Sequence, residues 1–320
     1  MHGKEDVMPT VSLSREQNRY QTVSRALHLI QADIDATLTQ PRRILIKPNF
    51  VYDNQQLCAT HVDTTRAIID FLQAYNPKEI IIAESSSQSA TRAFTNYHYH
   101  KLAHEYGIEL IDLDDDAYEE ASIFTRLHEG QFGTTTVRVS KTVLEAEYRI
   151  SPAVMKTHDT VIVTLSLKNI VMGSVLDKTR MHQGYEAMNF NLYKIAKLVP
   201  VHLAVIDGWQ AMEGNGPVRG TAVDAHTVLA STDFIAADFI GAEVMGFNPA
   251  TIGYLQYAAG HYGFRPLGVG DRDQITLIGE PFETLQRTFR PHDSYRAQLA
   301  WHIPETLIPE MNALLNSAEE

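Results

Sequence analysis

The sequence predicts an α/β protein: a doubly wound, mostly parallel sheet, with a second mixed α/β lobe sharing a cleft with the first. Three observations carry this reading. Short apolar runs alternate with amphipathic stretches through residues 42–116. Those runs end in polar tips, as buried parallel strands do at a ligand-binding edge. Beyond residue 131 strand and helix patterns mix, so the chain divides into an N-terminal lobe over 1–130 and a mixed lobe over 131–320, or into one continuous domain.

Each element follows from its pattern. RRILIKPNF (42–50) is a buried strand closing on Lys47, Pro48 and Asn49. In DTTRAIIDFLQAY (63–75), Ile68, Phe71, Leu72 and Tyr75 fall at helical spacing, with Asp63 or Thr64 placed to cap the start. KEIIIAESSS (78–87) is the second strand, 90–106 a helix ending at Gly107, and IELIDLDDD (108–116) the third strand. Strict alternation of strand and helix implies parallel strands joined by right-handed crossovers. In the second lobe, TTTVRVSKTV (134–143), EYRISPAVMKTH (147–158), VPVHLAVIDGWQ (199–210) and QITLIG (274–279) read as strands. DFIAADFIGAEVMG (233–246) opens on Asp and closes on Gly, as a capped helix does, and a further helix is expected over 251–262. The segment THDTVIVTLSLKN (157–169) reads as a strand, with Lys168 and Asn169 arriving at its polar end.

Composition narrows the function. A net charge of −12 argues against a nucleic-acid surface or a polybasic membrane patch. No apolar run reaches the ~20 residues of a membrane span. The opening MHGKEDVMPTVSLSREQNRY has no signal-peptide apolar centre, so a cytoplasmic location is expected. A single cysteine, Cys58, cannot build a disulfide framework or an iron–sulfur cluster. GxGxxG does not follow the first strand, and GxxxxGK[ST], GxSxG and HExxH do not occur.

The chemistry concentrates at the strand ends: Lys47-Pro48-Asn49, Glu84-Ser85, Lys156-Thr157-His158 and Asp207-Gly208. Pro48 biases Lys47 toward extended backbone and aims it at the cleft. A lysine against apolar walls has its charged form destabilised, so Lys168 is a candidate base, nucleophile or anion partner. His158 and His182 can move a proton near neutral pH. The catalytic candidates are therefore Lys168, His158 and His182. Lys47, Asn49, Glu84, Ser85, Lys156, Thr157 and Asn169 are expected to bind substrate. Asn215 and Gly216, in the loop GNGPVRG (214–220), are expected to close over the same cleft.

Two resemblances sit on these motifs. MKTHDTVIVTLSLKN, DGWQAMEGNGPVRG and STDFIAADFIGAEVMG, with the earlier KPNF, THVDTTRAIIDFL and IIIAESS, resemble a prokaryotic domain family of unknown function over residues 42–280. Its members are often labelled uncharacterised iron–sulfur centre proteins, through an appended cysteine module that this chain does not contain. EAEYRISPAVMKTHDTVIVTLSLKNIVMGSVLDKTRMH is similar in layout to the nickel-pincer lactate racemase family. That likeness implies an acid–base role for His158, a cofactor-bearing role for Lys168 and a metal-ligating role for His182. Leu165-Ser166-Leu167 stands where that family has Ser-Gly-Gly, so the likeness is carried over for the fold rather than for the cofactor.

The reading that follows is an enzyme acting on a small carboxylate-bearing metabolite by proton transfer: epimerisation, isomerisation, elimination or cyclisation. The alternatives are a metal-dependent enzyme, with His182, Asp207 and Glu213 holding a divalent cation, and a non-catalytic module that delivers a ligand or cluster. The cofactor is open between a divalent metal and none, with no iron–sulfur cluster. The expected partner is a small-molecule substrate, with neither nucleic acid nor membrane, and a homo-oligomer is compatible with the chain.

Overall fold

A computed structural model describes residues 8–40, 43–126 and 131–316. Its strands are β1 (Thr10–Ser14), β2 (Arg43–Ile46), β3 (Glu79–Glu84), β4 (Glu109–Asp112), β5 (Tyr118–Arg126), β6 (Phe132–Ser140), β7 (Tyr148–Thr157), β8 (Val163–Thr164), β9 (Leu203–Glu213), β10 (Thr221–Val223), β11 (Thr227–Ser231) and β12 (Thr276–Gly279). The main sheet runs β12-β1-β11-β9-β7-β2-β3-β4, with β8 on β7 and β10 on β9. β9, β7, β2, β3 and β4 are mutually parallel. β11 lies antiparallel to both its neighbours, and β1 pairs β12 in parallel. Strands from before and after residue 130 are interleaved in this one sheet.

Strand periodicity explains the double winding. Ile44 and Ile46 point to one face with Ile80, Ile82, Ile150 and Val205, where the helices Arg19–Leu29 and Val62–Gln73 cover them. Leu45, Ile81, Ala204 and Ile206 point to the other, covered by Ser166–Ser174, Tyr185–Ala196 and Phe234–Val244. The sheet is thus apolar on both faces, as a parallel sheet between helix layers must be. β5 and β6 pair in a separate nine-residue antiparallel ribbon. Asn191 fastens it to the body by bonding both the N–H and the C=O of Phe124.

Several boundaries differ from the sequence reading. Val62–Gln73 is capped by His61, whose Nδ1 accepts from Asp63 N at 3.2 Å, rather than by Asp63 or Thr64. The helix expected over 90–106 is two, Ala90–Asn96 and Tyr99–Tyr106, broken where His98 takes φ +65°. The helix expected over 251–262 is the shorter Gly253–Ala258. Asp233 caps Phe234–Val244 as expected, accepting from Ile235 N and Ala236 N at 2.9 Å each.

The largest correction concerns 157–169. Past Thr157, the last residue of β7, only Val163–Thr164 is strand, and Ser166–Ser174 is a helix with Lys168 in its first turn. Every residue of that helix except Met172 is buried, so it has no polar face and no helical periodicity to read. The turn before it holds Ile162 at φ +69°, a left-handed conformation that a β-branched residue rarely adopts. Gln298, itself 1% exposed, holds this turn by accepting from Ile162 N and donating to His158 O.

Candidate active site

The sheet order reverses between β2 and β7: β3 and β4 extend to one side of β2, and β7 and β9 to the other. Such a switch point opens a crevice at the carboxyl ends of the strands. A cavity of about 140 Å³ lies there, lined among others by Lys47, Asn49, Glu84, Ser85, His158 and Lys168. A cavity of ~150 Å³ holds a six-atom ring, so the ligand it suits is small.

Lys47 and Glu84 form its floor. Lys47 Nζ lies 2.8 and 2.7 Å from the two Glu84 carboxylate oxygens, 2.8 Å from Pro48 O and 3.2 Å from Asn169 Oδ1. Glu84 also accepts from Phe50 N and Ser85 N. Burial pushes each partner toward its neutral form, and their mutual attraction opposes that. With this many hydrogen bonds on both ions, the pair is ionic.

Gly173 makes room for the pair. A Cβ there would lie 2.0 Å from Lys47 Nζ and 2.5 Å from Glu84 Oε1. Alanine in place of a helical glycine normally stabilises by about 1 kcal/mol. Gly173→Ala is expected to reverse that sign, lowering Tm by several degrees, because the clamped ammonium has nowhere to go. A rise in Tm would show that Lys47 swings free of Glu84.

Lys156 sits behind the floor, donating to Asn49 Oδ1 and to Cys58 O, and burial lowers it to about 8. Lys168 is different. It is 6% exposed, lines the cavity, and makes no hydrogen bond or ion pair among the described residues. Burial, with Lys156 and Lys47 adding repulsion, brings it down to about 7. Its place in the first turn of a helix, where the helix dipole is unfavourable to a cation, acts in the same direction. That turn is held by the buried carboxylate of Asp238, which accepts from Ser166 N at 2.7 Å and Leu167 N at 2.9 Å.

The two histidines present opposite faces to a ligand. His158 Nδ1 lies 3.0 Å from Thr160 N, a donor, and 3.1 Å from Asp159 Oδ1, an acceptor; the bond from Thr160 N favours the tautomer with the proton on Nε2. Burial and Lys168 hold this ring well below the usual histidine range, so it is a neutral Nε2–H donor. His182 Nδ1 lies 2.9 Å from Lys178 O, a pure acceptor, so its Nδ1 carries the proton and Nε2 offers a lone pair. It stands at the rim, open to solvent yet hemmed in by protein; desolvation and Lys168 lower it.

The structure therefore brings Lys47, Asn49, Glu84, Ser85, His158, Lys168, Asn169 and His182 to one cavity, with Lys156 directly behind. Thr157 anchors the 214–220 loop instead, through Oγ1 to Gly214 O at 2.8 Å. From that loop Pro217, not Asn215 or Gly216, reaches the cavity. Asn215 bonds Asp293, and a Cβ on Gly216 would lie 2.2 Å from Thr157 O.

The metal set His182, Asp207 and Glu213 is not assembled. Asp207 is taken by Thr64 Oγ1 at 2.5 Å, Arg19 at 3.1 Å and Trp209 N. Glu213 accepts from Arg290 N at 2.9 Å. Among the described residues no three His, Cys, Asp or Glu side chains converge to hold a metal ion. Sequence reasoning missed Lys178, Asp159 and Thr164, which also line the cavity. Lys178 and Asp159 end no strand, and Thr164 ends only the two-residue β8, so the strand-tip signal passes over them.

Residues 44–243 match the family described as Domain of unknown function (DUF362). The chain belongs to this family. The DUF362 chain is 27% identical over 218 residues to a thylakoid-associated protein of Synechocystis, across 66% of its own length and 65% of that protein's. A solved structure of the lactate racemase apoprotein from Thermoanaerobacterium thermosaccharolyticum is similar at TM-score 0.45 and 9% identity, over 77% of this chain and 59% of that one. The DUF362 chain thus spans less than two thirds of either relative. Among its described residues no helix is long and apolar enough to cross a membrane.

Proposed function

We propose that this DUF362 protein is an enzyme that moves a proton on a small carboxylate-bearing metabolite. The observation that carries the reading is Lys168: buried, facing a cavity, without an ion pair among the described residues and lowered to about 7. A lysine at that pKa is part amine and part ammonium at neutral pH, which is where a general base works best. The proton next to a carboxylate would pass to the Lys168 amine. The Nε2–H of His158 would steady the oxygen on which charge builds, and the Nε2 lone pair of His182 gives a second proton site for return or exchange. Epimerisation, isomerisation, elimination and cyclisation all begin with that abstraction. The anion itself is favoured by Lys47, Lys168 and Lys178 lining one cavity, with Lys156 behind, against one buried carboxylate, Glu84.

The test is solvent exchange. A panel of C2–C5 carboxylates in D₂O with the wild-type protein should show deuterium entering the carbon next to the carboxylate, faster as pH rises through about 7. Lys168→Met should abolish it. A panel that exchanges no faster than in buffer, or equally well with Lys168→Met, sinks the proton-transfer reading.

A further inference from the structure

Lys178 has no part in that proton transfer, yet it is built into the same wall. Its ammonium donates to Ser85 Oγ at 2.6 Å, and Ser85 Oγ in turn donates to Gly173 O at 2.8 Å. Both Lys178 and Ser85 line the cavity. The nearest carboxylate to Lys178, Asp114, is 3.8 Å away and 40% exposed, while the Lys178 side chain is only 17% exposed. A mostly buried ammonium with a hydroxyl as its close partner keeps donors to spare for a ligand.

The helix Ser166–Ser174 measures the separation. Lys168 stands in its first turn, and Gly173, which receives Ser85, comes five residues later. At 1.5 Å per residue that is about 7.5 Å along the axis. The Lys47–Glu84 pair lies beside Gly173 and is internally neutralised. The cavity thus carries two poles that suit an anion, Lys168 with the neutral His158 ring beside it at one end and the Lys178 ammonium, held by Ser85, at the other.

Building on the small-carboxylate reading, we propose that the substrate is a short dianion. Its reacting carboxylate end lies at Lys168, and its second anionic group, carboxylate or phosphate, is received by Lys178, which Ser85 holds in place. Lys178 is then the residue that sets specificity. A monoanion of the same length leaves one ammonium without its counter-charge, and a long dianion overshoots the span.

Calorimetric titration of the full chain tests this with defined probes: propionate and butyrate as monoanions, malonate, succinate and glutarate as dicarboxylates, and phosphonoacetate for the phosphate-type end. The wild type should bind the best-fitting dianion at least tenfold more tightly than a monoanion of equal length. Preference for phosphonoacetate over the dicarboxylates would assign the second group as phosphate, and the opposite order as carboxylate. Lys178→Met removes a desolvated charge and is expected to fold. It should weaken the dianion more than tenfold and the monoanion less than threefold. Equal affinities for both classes in the wild type, or a preference that survives in Lys178→Met, overturns the dianion proposal. If monoanions still bind and Lys168→Met abolishes that binding, the proton-transfer site stands while the dianion assignment falls. If neither class binds, both fall.

Discussion

Glu84→Ala is expected to lower unfolding free energy by about 3–5 kcal/mol, the range for removing one partner of a buried ion pair. The reason lies in what the alanine leaves behind. Lys47 is 0% exposed and would keep its ammonium with only Pro48 O and Asn169 Oδ1 as acceptors. Phe50 N and Ser85 N would lose their acceptor at the same time. Urea unfolding at neutral pH measures the loss directly. Glu84→Gln keeps an oxygen for the two amides but turns a neutral group toward the ammonium, so it should fall between wild type and alanine. Adding Lys47→Met to Glu84→Gln should recover at least half of that loss, because the stranded charge is gone. A cost below about 1 kcal/mol for Glu84→Ala would mean that Lys47 is neutral in the folded protein, and the ionic floor of the cavity would have to be abandoned.

How much of this site the sequence discloses follows from which forces leave a local signature. β2, β3 and β7 are apolar runs because both sheet faces are covered, and their ends are polar because ligand space begins there. Lys47, Glu84 and His158 were therefore legible one by one, and the strand order that unites them follows the crossover rules. The Ser166–Ser174 helix was not legible, since an element buried on every side has no periodicity. Its place was misread as strand for a good local reason: Val161, Ile162 and Val163 favour one, while the turn is closed by His158 N donating to Ile162 O and by the Gln298 clamp, 140 residues on from His158. Lys178 was passed over because its neighbour Ser85 lies 93 positions away in the chain. The β5–β6 ribbon went half seen for a similar reason: Tyr118–Arg126 is half exposed and reads as strand only against its partner. Asp207 was misassigned because a carboxylate at a strand end looks the same whether it faces a ligand or, as here, Arg19 and Thr64.

Lys168→Met is expected to be more stable than the wild type at pH 6, to lose that advantage by about pH 10, and to bind no carboxylate. The sign follows from linkage. In the unfolded chain the lysine titrates near 10.5, and in the folded protein at about 7. Below pH 7 both states hold the proton, so the folded protein carries the full penalty of a buried ammonium, which Asp159 only partly offsets. Between about 7 and 10.5 the unfolded state binds the extra proton, and stability rises with pH. At 1.36 kcal/mol per pH unit the penalty is on the order of several kcal/mol, less what water in the open cavity returns. Methionine keeps the length, favours helix and brings no charge, so the variant escapes the penalty at low pH and shows no rise with pH. Thermal melts of both proteins from pH 6 to 10, plotted as the difference in Tm, separate the possibilities. A difference that starts positive and shrinks with pH identifies Lys168 as a charge the fold tolerates for the sake of its ligand. A variant less stable at pH 6, or a difference that grows with pH, would make Lys168 a structural cation with a partner, and the base of the proposed reaction would have to be sought in His182.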